Sequence, residues 1–248
     1  MHFIVKIGRK VTCNNVYIGW DSKQDIAYKV LKHSILRKSK NIDIIPLKQK
    51  ELRDKKIYKR PIDPLSSTEF TFTRFLVPFL QKYKNWALFM DCDMISLVDI
   101  NLLFDMADKK YAVMCVKHNY SPINKIKMDN KTQILYPRKN WSSLMLFNCS
   151  HPSNKKITKQ LINDTNISGQ YFHRLSWLAD DEIGTINHEY NWLVNWYQEP
   201  ADGRPKILHY TEGGPWLNEY KNAKYAGIWH NEFELLNKVD DLNGGNLV

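Results

Sequence analysis

Apolar residues fall in short continuous runs alternating with stretches of helical spacing. Val16-Tyr17-Ile18-Gly19-Trp20 reads as a strand that ends at Asp21, and Ser22 is placed to cap a helix in which Ile26, Ala27, Val30, Leu31, Ile35 and Leu36 recur at helical intervals. A second short strand is predicted over 43–47, so the chain opens β-α-β, the start of a mainly parallel α/β sheet. Residues 48–67 are polar, basic and broken by Pro61 and Pro64, and read as a loop able to cover a site. A helix capped by Ser67 or Thr68 is predicted next, with Phe72, Phe75, Leu76, Phe79 and Leu80 on its apolar face, Arg74 off that face, and Pro78 as a kink or stop. Strands follow at 86–90, 111–116 and 143–148, with a helical turn over 101–104 and an irregular polar stretch over 119–140. A helix over 153–163 turns Ile157, Leu161 and Ile162 inward, and helical turns occupy 170–183. A short strand over 206–210 then enters the turn Glu212-Gly213-Gly214-Pro215-Trp216, and Gly244-Gly245 reads as a frayed end. There is no internal repeat.

The 248 residues suit one domain spanning 1–248, and 43% hydrophobic content supplies a substantial core. A net charge of +10 favours anionic partners such as nucleotides. The basic clusters at 48–56, 109–110, 125–127 and 155–156 read as solvated loops and match no nucleic-acid-binding motif. Cys13, Cys92, Cys115 and Cys149 form no C-x-x-C pair, which fits reduced thiols and gives no zinc framework. The first ten residues hold too short an apolar run for a signal peptide, and no run of about 18 apolar residues exists to cross a membrane. The expected location is the cytoplasm, with at most peripheral contact at the inner face of a membrane.

The most informative stretch is Leu88-Phe89-Met90-Asp91-Cys92-Asp93, an apolar run that reads as a buried strand and ends in two carboxylates spaced i, i+2. Buried unpaired carboxylates are very costly, so the strand should emerge into a cleft here, where two hard oxygen ligands suit Mg²⁺ or Mn²⁺ and such a metal suits a phosphorylated substrate. His209, ending a strand and entering a glycine turn, is the candidate third ligand. Gly213 and Gly214 would let backbone approach a phosphate closely. Arg74 is a candidate contact to nucleotide or phosphate, and the Gly19-Trp20-Asp21 corner lies where open α/β sheets bind ligands. Ser142 and Ser143 offer hydroxyls to a sugar. Asp180, Asp181 and Glu182 form a carboxylate cluster suited to sugar recognition or to stabilising an oxocarbenium-type transition state.

The order of these pieces resembles glycosyltransferase family 8, the group of glycogenin and the bacterial lipooligosaccharide galactosyltransferases, with the GT-A fold. The matching segments are 16–21, the Thr73-Arg74-Phe75-Leu76-Val77-Pro78 arginine helix, Asp91-Cys92-Asp93, the strand opened by Trp141-Ser142-Ser143, Asp180-Asp181-Glu182, and 209–216. The resemblance spans 16–217, leaving 218–248 as a C-terminal extension. It implies a Rossmann-like α/β fold whose mixed, mostly parallel sheet is flanked by helices. It implies a UDP-sugar donor, Mn²⁺ (or Mg²⁺) held by Asp91, Asp93 and His209, and retention at the anomeric carbon. Gly19, Trp20, Asp21, Arg74, Cys92, Ser142, Ser143, Gly213, Gly214 and Trp216 would line the nucleotide and donor, and Asp180 and Asp181 would act in catalysis. The expected acceptor is a glycan, a lipid-linked sugar or a protein, and a homodimer is one expected assembly. The chain departs from the family in two places. Gly214 stands where a diphosphate-contacting lysine is usual, leaving Lys221 or Lys117 to substitute, and Trp-Ser-Ser replaces Asn-(Ser/Ala)-Gly. The alternatives are a sugar-phosphate nucleotidyltransferase, disfavoured because no glycine-rich loop follows the first strand, and a non-catalytic carbohydrate- or nucleotide-binding module.

Overall fold

The computed structural model describes residues 13–62, 66–119, 138 and 140–242. The N-terminal ten residues, Pro64, nearly all of the irregular stretch before Trp141, the 125–127 cluster and Gly244-Gly245 lie outside the described residues.

A six-stranded sheet has the order β2-β1-β3-β6-β5-β7, formed by β1 (Asn14–Gly19), β2 (Ile42–Leu47), β3 (Trp86–Met90), β5 (Val113–Cys115), β6 (Leu144–Asn148) and β7 (Ile183–Thr185). β1 pairs parallel with β2 and β3, and β5 with β7, while β6 runs antiparallel between β3 and β5. Strands buried on both faces read as continuous apolar runs, and β3 and β6 do so: Leu88, Phe89, Leu146 and Phe147 are all inaccessible. The antiparallel insertion has a positional result. The turn that precedes β6 lies at the same sheet edge as the C-terminal ends of β1 and β3, since Leu144 pairs with Met90 and Ile18 also pairs with Met90.

A second sheet, β4-β9-β8, escapes the sequence reading. β4 (Met94–Ser96) starts directly after Asp93 and pairs antiparallel with β9 (Ile207–His209), with Met94 opposite His209, and β8 (Trp192–Leu193) lies parallel to β9. The 206–210 strand therefore forms, but outside the main sheet. β4 is fixed from behind by α1 (Asp25–Lys38), because the Ser34 hydroxyl accepts the Ser96 N–H at 3.0 Å.

Several predicted boundaries move. Asp21, not Ser22, caps the first turn: its Oδ1 accepts the Lys23 N–H at 2.9 Å, and a 3-10 turn precedes α1. Leu36, expected inward, is 46% exposed. The 48–67 loop contains α2 (Gln49–Asp54), braced by the i,i+4 pair Lys50–Asp54. The helix expected from Ser67 or Thr68 is instead turns, a 3-10 turn over Thr73–Leu76, and α3 (Val77–Leu80), where Pro78 occupies the first turn and its missing N–H costs nothing. After α4 (Asn101–Asp105), the 153–163 helix divides into a 3-10 turn at Pro152–Lys156 and α5 (Lys159–Asn163), capped by Thr158. α6 (Gly169–His173) accounts for part of 170–183, and Ile183 already belongs to β7.

The largest omission is α7 (Ala226–Leu242), in the segment read as an extension. Its Trp229 joins Val30, Ile95, Trp192, Leu208 and Tyr210 in a second apolar cluster beneath the small sheet. Glu232 of α7 is 3% exposed and accepts from His33, Arg37 and Lys38 of α1, with Arg37 Nη2 at 2.7 Å. Burial alone would raise its carboxyl pKa, but the Arg37 hydrogen bond, the Lys38 charge and His33 outweigh it and hold the group at about 2. The stabilisation is thus present above the ordinary glutamate range and lost as pH falls toward 2. Glu232→Gln is expected to cost about 2 kcal/mol at pH 7, read by urea denaturation, below the figure for a fully buried pair because Arg37 is 43% exposed.

Candidate active site

At the shared edge of β1, β3 and β6, Asp91 leaves β3 with its N–H donated to the Ser143 carbonyl at 2.9 Å. The Asp91 carboxylate accepts from Arg74 Nη1 at 2.7 Å, and the same nitrogen reaches the Ser142 carbonyl at 3.0 Å. Arg74 is 5% exposed, its guanidinium 5.0 and 5.1 Å from the Phe70 and Phe89 ring centres. It holds Asp91 from within.

Two residues on, Asp93 faces the strand that carries His209. Asp91, Asp93 and His209 each offer a ligand atom, and the three atoms lie within 4.8 Å of one another. Asp93 Oδ1 is buried, lies 3.3 Å from His209 Nε2 and has no hydrogen-bond partner. A buried carboxylate oxygen left unpaired is expensive unless a cation completes it, and two carboxylates with one imidazole suit Mn²⁺ or Mg²⁺ as a donor set. The residues therefore fit the metal.

The remaining candidates divide into those at this edge and those away from it. Asp21 is there, but its carboxylate is occupied: besides capping the turn, Oδ2 accepts the Glu69 N–H at 3.1 Å. Gly19 is small because a Cβ would lie 2.3 Å from the Phe70 ring. Trp20 donates Nε1–H to Asp25 at 2.8 Å with Lys48 over its face. Beside this corner opens a cleft of about 540 Å³, bordered by Asp21, Lys23, Gln49, Arg53, Glu69 and Leu217, so the 48–67 segment does wall a cavity. Asp91 and Asp93 are not among its lining residues. The Cys92 side chain is wholly buried beside Gln24, and burial next to Asp93, Asp91 and Asp21 pushes its thiol pKa well up; only its backbone is left for a ligand.

The Ser142 and Ser143 hydroxyls both have partners within the protein. Ser142 Oγ meets His173 Nδ1 at 2.8 Å, and Ser143 Oγ donates to the Asn140 carbonyl at 2.6 Å while accepting from Asn191 at 2.9 Å. The two turn glycines are explained by neighbouring rings: Gly213 has φ +135° against Tyr220, and a Cβ on Gly214 would lie 2.0 Å from Trp216. Trp216 itself packs edge-on to Tyr210 and against Trp229. Of the substitute cations, Lys117 lies 5.8 Å from the Trp141 ring centre and Lys221 is exposed in a turn near α7.

Asp180 and Asp181 do not join the metal group. Their 3-10 turn enters β7, which runs with β5 and so points its start away from Asp91; the Glu182 carbonyl accepts from Ala112, level with the far end of β6. Glu182 is held by Ser153 and by the Ala179 N–H. Asp180 pairs with Arg138, and Asp181 is exposed. Arg138, the partner of Asp180, lies 5.4 Å from the centre of the Trp141 ring, in the turn that opens β6.

Three groups near the edge escape the sequence reading: the buried Asn191 and His118, and the half-buried His173. Isolated polar residues carry no spacing signal, so nothing in the chain flags them. His118 Nδ1 meets the Tyr197 hydroxyl at 2.9 Å. Burial first, then His209 and His188, lower its pKa to about 3. An unfolded histidine titrates near 6.5, so the unfolded chain binds the extra proton between those values and stability is lost as pH falls through that window. His118→Gln is expected to flatten this loss, by about 0.7 kcal/mol between pH 7 and 6 and about 1.2 kcal/mol between pH 6 and 5, measured by urea denaturation.

Comparison with known proteins decides the family. The model described as "Glycosyl transferase family 8" matches residues 11–219. The chain belongs to glycosyl transferase family 8. Protein CDI of Arabidopsis thaliana is 42% identical over 248 residues, covering 95% of each chain. Among solved structures, the glycosyltransferase GlyE of Streptococcus pneumoniae TIGR4 superposes with a TM-score of 0.61 at 16% identity, over 94% of this chain and 64% of GlyE, so this chain spans just under two thirds of that protein. The galactosyltransferase LgtC, in complex with donor and acceptor sugar analogs, gives 0.56 at 12% identity, over 89% and 95% of the two chains. At such identities the structural likeness shows the fold, a GT-A-like α/β sheet flanked by helices. Family membership and the Asp-x-Asp/His group together make this family 8 member a metal-dependent glycosyltransferase that draws on a nucleotide sugar. No helix among the described residues is long and apolar enough to cross a membrane.

Proposed function

We propose that this chain transfers a hexosyl or pentosyl unit from a UDP-sugar to a glycan, lipid-linked or protein acceptor, with Mn²⁺ (or Mg²⁺) and with retention of anomeric configuration. The observation that carries it is the unpartnered Asp93 Oδ1 facing His209 Nε2 at 3.3 Å, at the sheet edge next to the 540 Å³ cleft. Asp91, Asp93 and His209 would hold the ion, which when bound neutralises the departing diphosphate as a Lewis acid. The protein's own work is positional. Arg74 fixes the Asp91 carboxylate, Asp21 holds the turns that border the cleft, and that cleft has the size of a nucleoside-binding site, with Lys23 and Arg53 on its wall. UDP and retention are what the family implies.

Isothermal titration of UDP with and without Mn²⁺ tests the reading. Metal-dependent binding is expected, and binding indifferent to metal would sink it. Release of free UDP from a panel of nucleotide sugars would then identify the donor.

A further inference from the structure

Resting on the metal reading above, we infer that Asn191 and Ser143 are positioning residues that fix the tautomer of His209 and aim its Nε2 lone pair at the ion. The hydrogens can be followed from a group whose role is unambiguous. The Asn140 carbonyl can only accept, and it takes the Ser143 hydroxyl hydrogen at 2.6 Å. Ser143 Oγ has then spent its one donor, so toward Asn191 at 2.9 Å it must accept, and the facing atom of Asn191 is its amide Nδ2. That orients Asn191 Oδ1 toward His209 Nδ1, at 2.8 Å, and an oxygen acceptor there requires Nδ1 to carry the hydrogen. In the neutral ring Nε2 is left with a lone pair, 3.3 Å from the unpartnered Asp93 Oδ1. Two acceptors confronting each other is an arrangement a cation completes.

The chain of bonds begins and ends on the ligand set. Ser143 also accepts the Asp91 N–H through its carbonyl, so one residue sets both the Asp91 backbone and, through Asn191, the His209 ring. Asn191 is inaccessible to solvent and precedes β8, which pairs with the strand of His209. Asn140, with φ +65°, adopts the left-handed conformation that Asn tolerates better than most residues, and so turns its carbonyl back on Ser143. The hydroxyl exists because this chain has Ser143 where the family pattern ends in Gly. The departure at Trp-Ser-Ser thus has a physical consequence, because the second serine supports the metal ligand.

The test combines two readouts. Long-range ¹H–¹⁵N spectra of the metal-free protein, at a pH where the ring is neutral, report the tautomer; His209 is expected to carry its hydrogen on Nδ1. Titration with Mn²⁺ alone, followed by loss of the free-ion EPR signal, reports affinity. Asn191→Leu is expected to weaken Mn²⁺ roughly 10–100-fold, the usual effect of losing such an outer partner. Ser143→Ala, which frees the Asn191 amide to rotate, is expected to weaken it by at least about 3-fold and to shift the tautomer toward Nε2–H. Asn191→Asp, which still accepts from Nδ1, should stay within about 3-fold of wild type. An Nε2–H tautomer in the wild type overturns the inference, and so does wild-type Mn²⁺ affinity in folded Ser143→Ala. If Asn191→Leu does not fold, Ser143→Ala and the wild-type spectrum decide. A wild-type protein that binds no Mn²⁺ sinks the metal reading itself, a result distinct from variants that bind as wild type does.

Discussion

Asp93→Asn is expected to lower turnover roughly 10²–10³-fold, the range seen when one preorganised electrostatic contact to a developing charge is removed. Asp93 Oδ1 is the atom for which the protein supplies no hydrogen-bond partner, so the substitution removes a ligand and disrupts nothing else that holds the fold. The β4–β9 ladder keeps its backbone pairing, since Asp93 takes part through its carbonyl, which accepts the Tyr210 N–H at 2.9 Å. Thermal stability of the metal-free variant should therefore equal or exceed that of the wild type, because a buried charge has been neutralised. Initial-rate measurement of UDP release, paired with a melting curve, checks both halves. An active double variant, Asp91→Asn with Asp93→Asn, would refute the assignment.

Arg74→Met should do the reverse and act first on stability. The Arg74 and Asp91 side chains are 6% and 14% exposed, so removing the guanidinium takes a close cation from a largely buried carboxylate. Breaking such a pair costs about 3–5 kcal/mol, far more than a surface ion pair of the same length. The loss includes the cation's contacts with Phe70 and Phe89 and its bond to the Ser142 carbonyl. Arg74→Lys should not rescue it, because one ammonium cannot reproduce the guanidinium's spread of donors. Arg74→Met with Asp91→Asn should recover part of the lost stability, and urea denaturation of the four proteins in this cycle isolates the coupling.

What the chain discloses about itself follows from how local each signal is. β1, α1, β2, β3 and β6 are readable because each is a long enough apolar run or stripe to stand out alone. The aspartates and His209 are readable because charge at the end of such a run is anomalous. β4, β7 and β8 are two or three residues long and exist by pairing with distant partners, so no window of sequence contains their cause. α7 lies past the last recognisable motif, and its most informative residue, Glu232, gains meaning only beside Arg37 and Lys38. Asp180 and Asp181 are conspicuous by composition, while their partners are not. Asp180 pairs with Arg138, 42 positions away, a link that no window of sequence contains. The Ser142 and Ser143 hydroxyls are legible as polar groups at a strand's start, while their bonds to His173 and Asn191 are not.

The pairing of Met94 with His209 has a kinetic meaning. The two strands that bring the ligands together are more than a hundred positions apart, and a loop of that length must close before the ladder forms. A ribosome-bound chain that has not yet emitted residue 209 holds both aspartates and no site at all. The ligand set thus assembles only once the strand of His209 is in place. An ion captured there binds only the closed chain and shifts the balance toward it, so the melting temperature should rise with metal concentration even with no sugar nucleotide present.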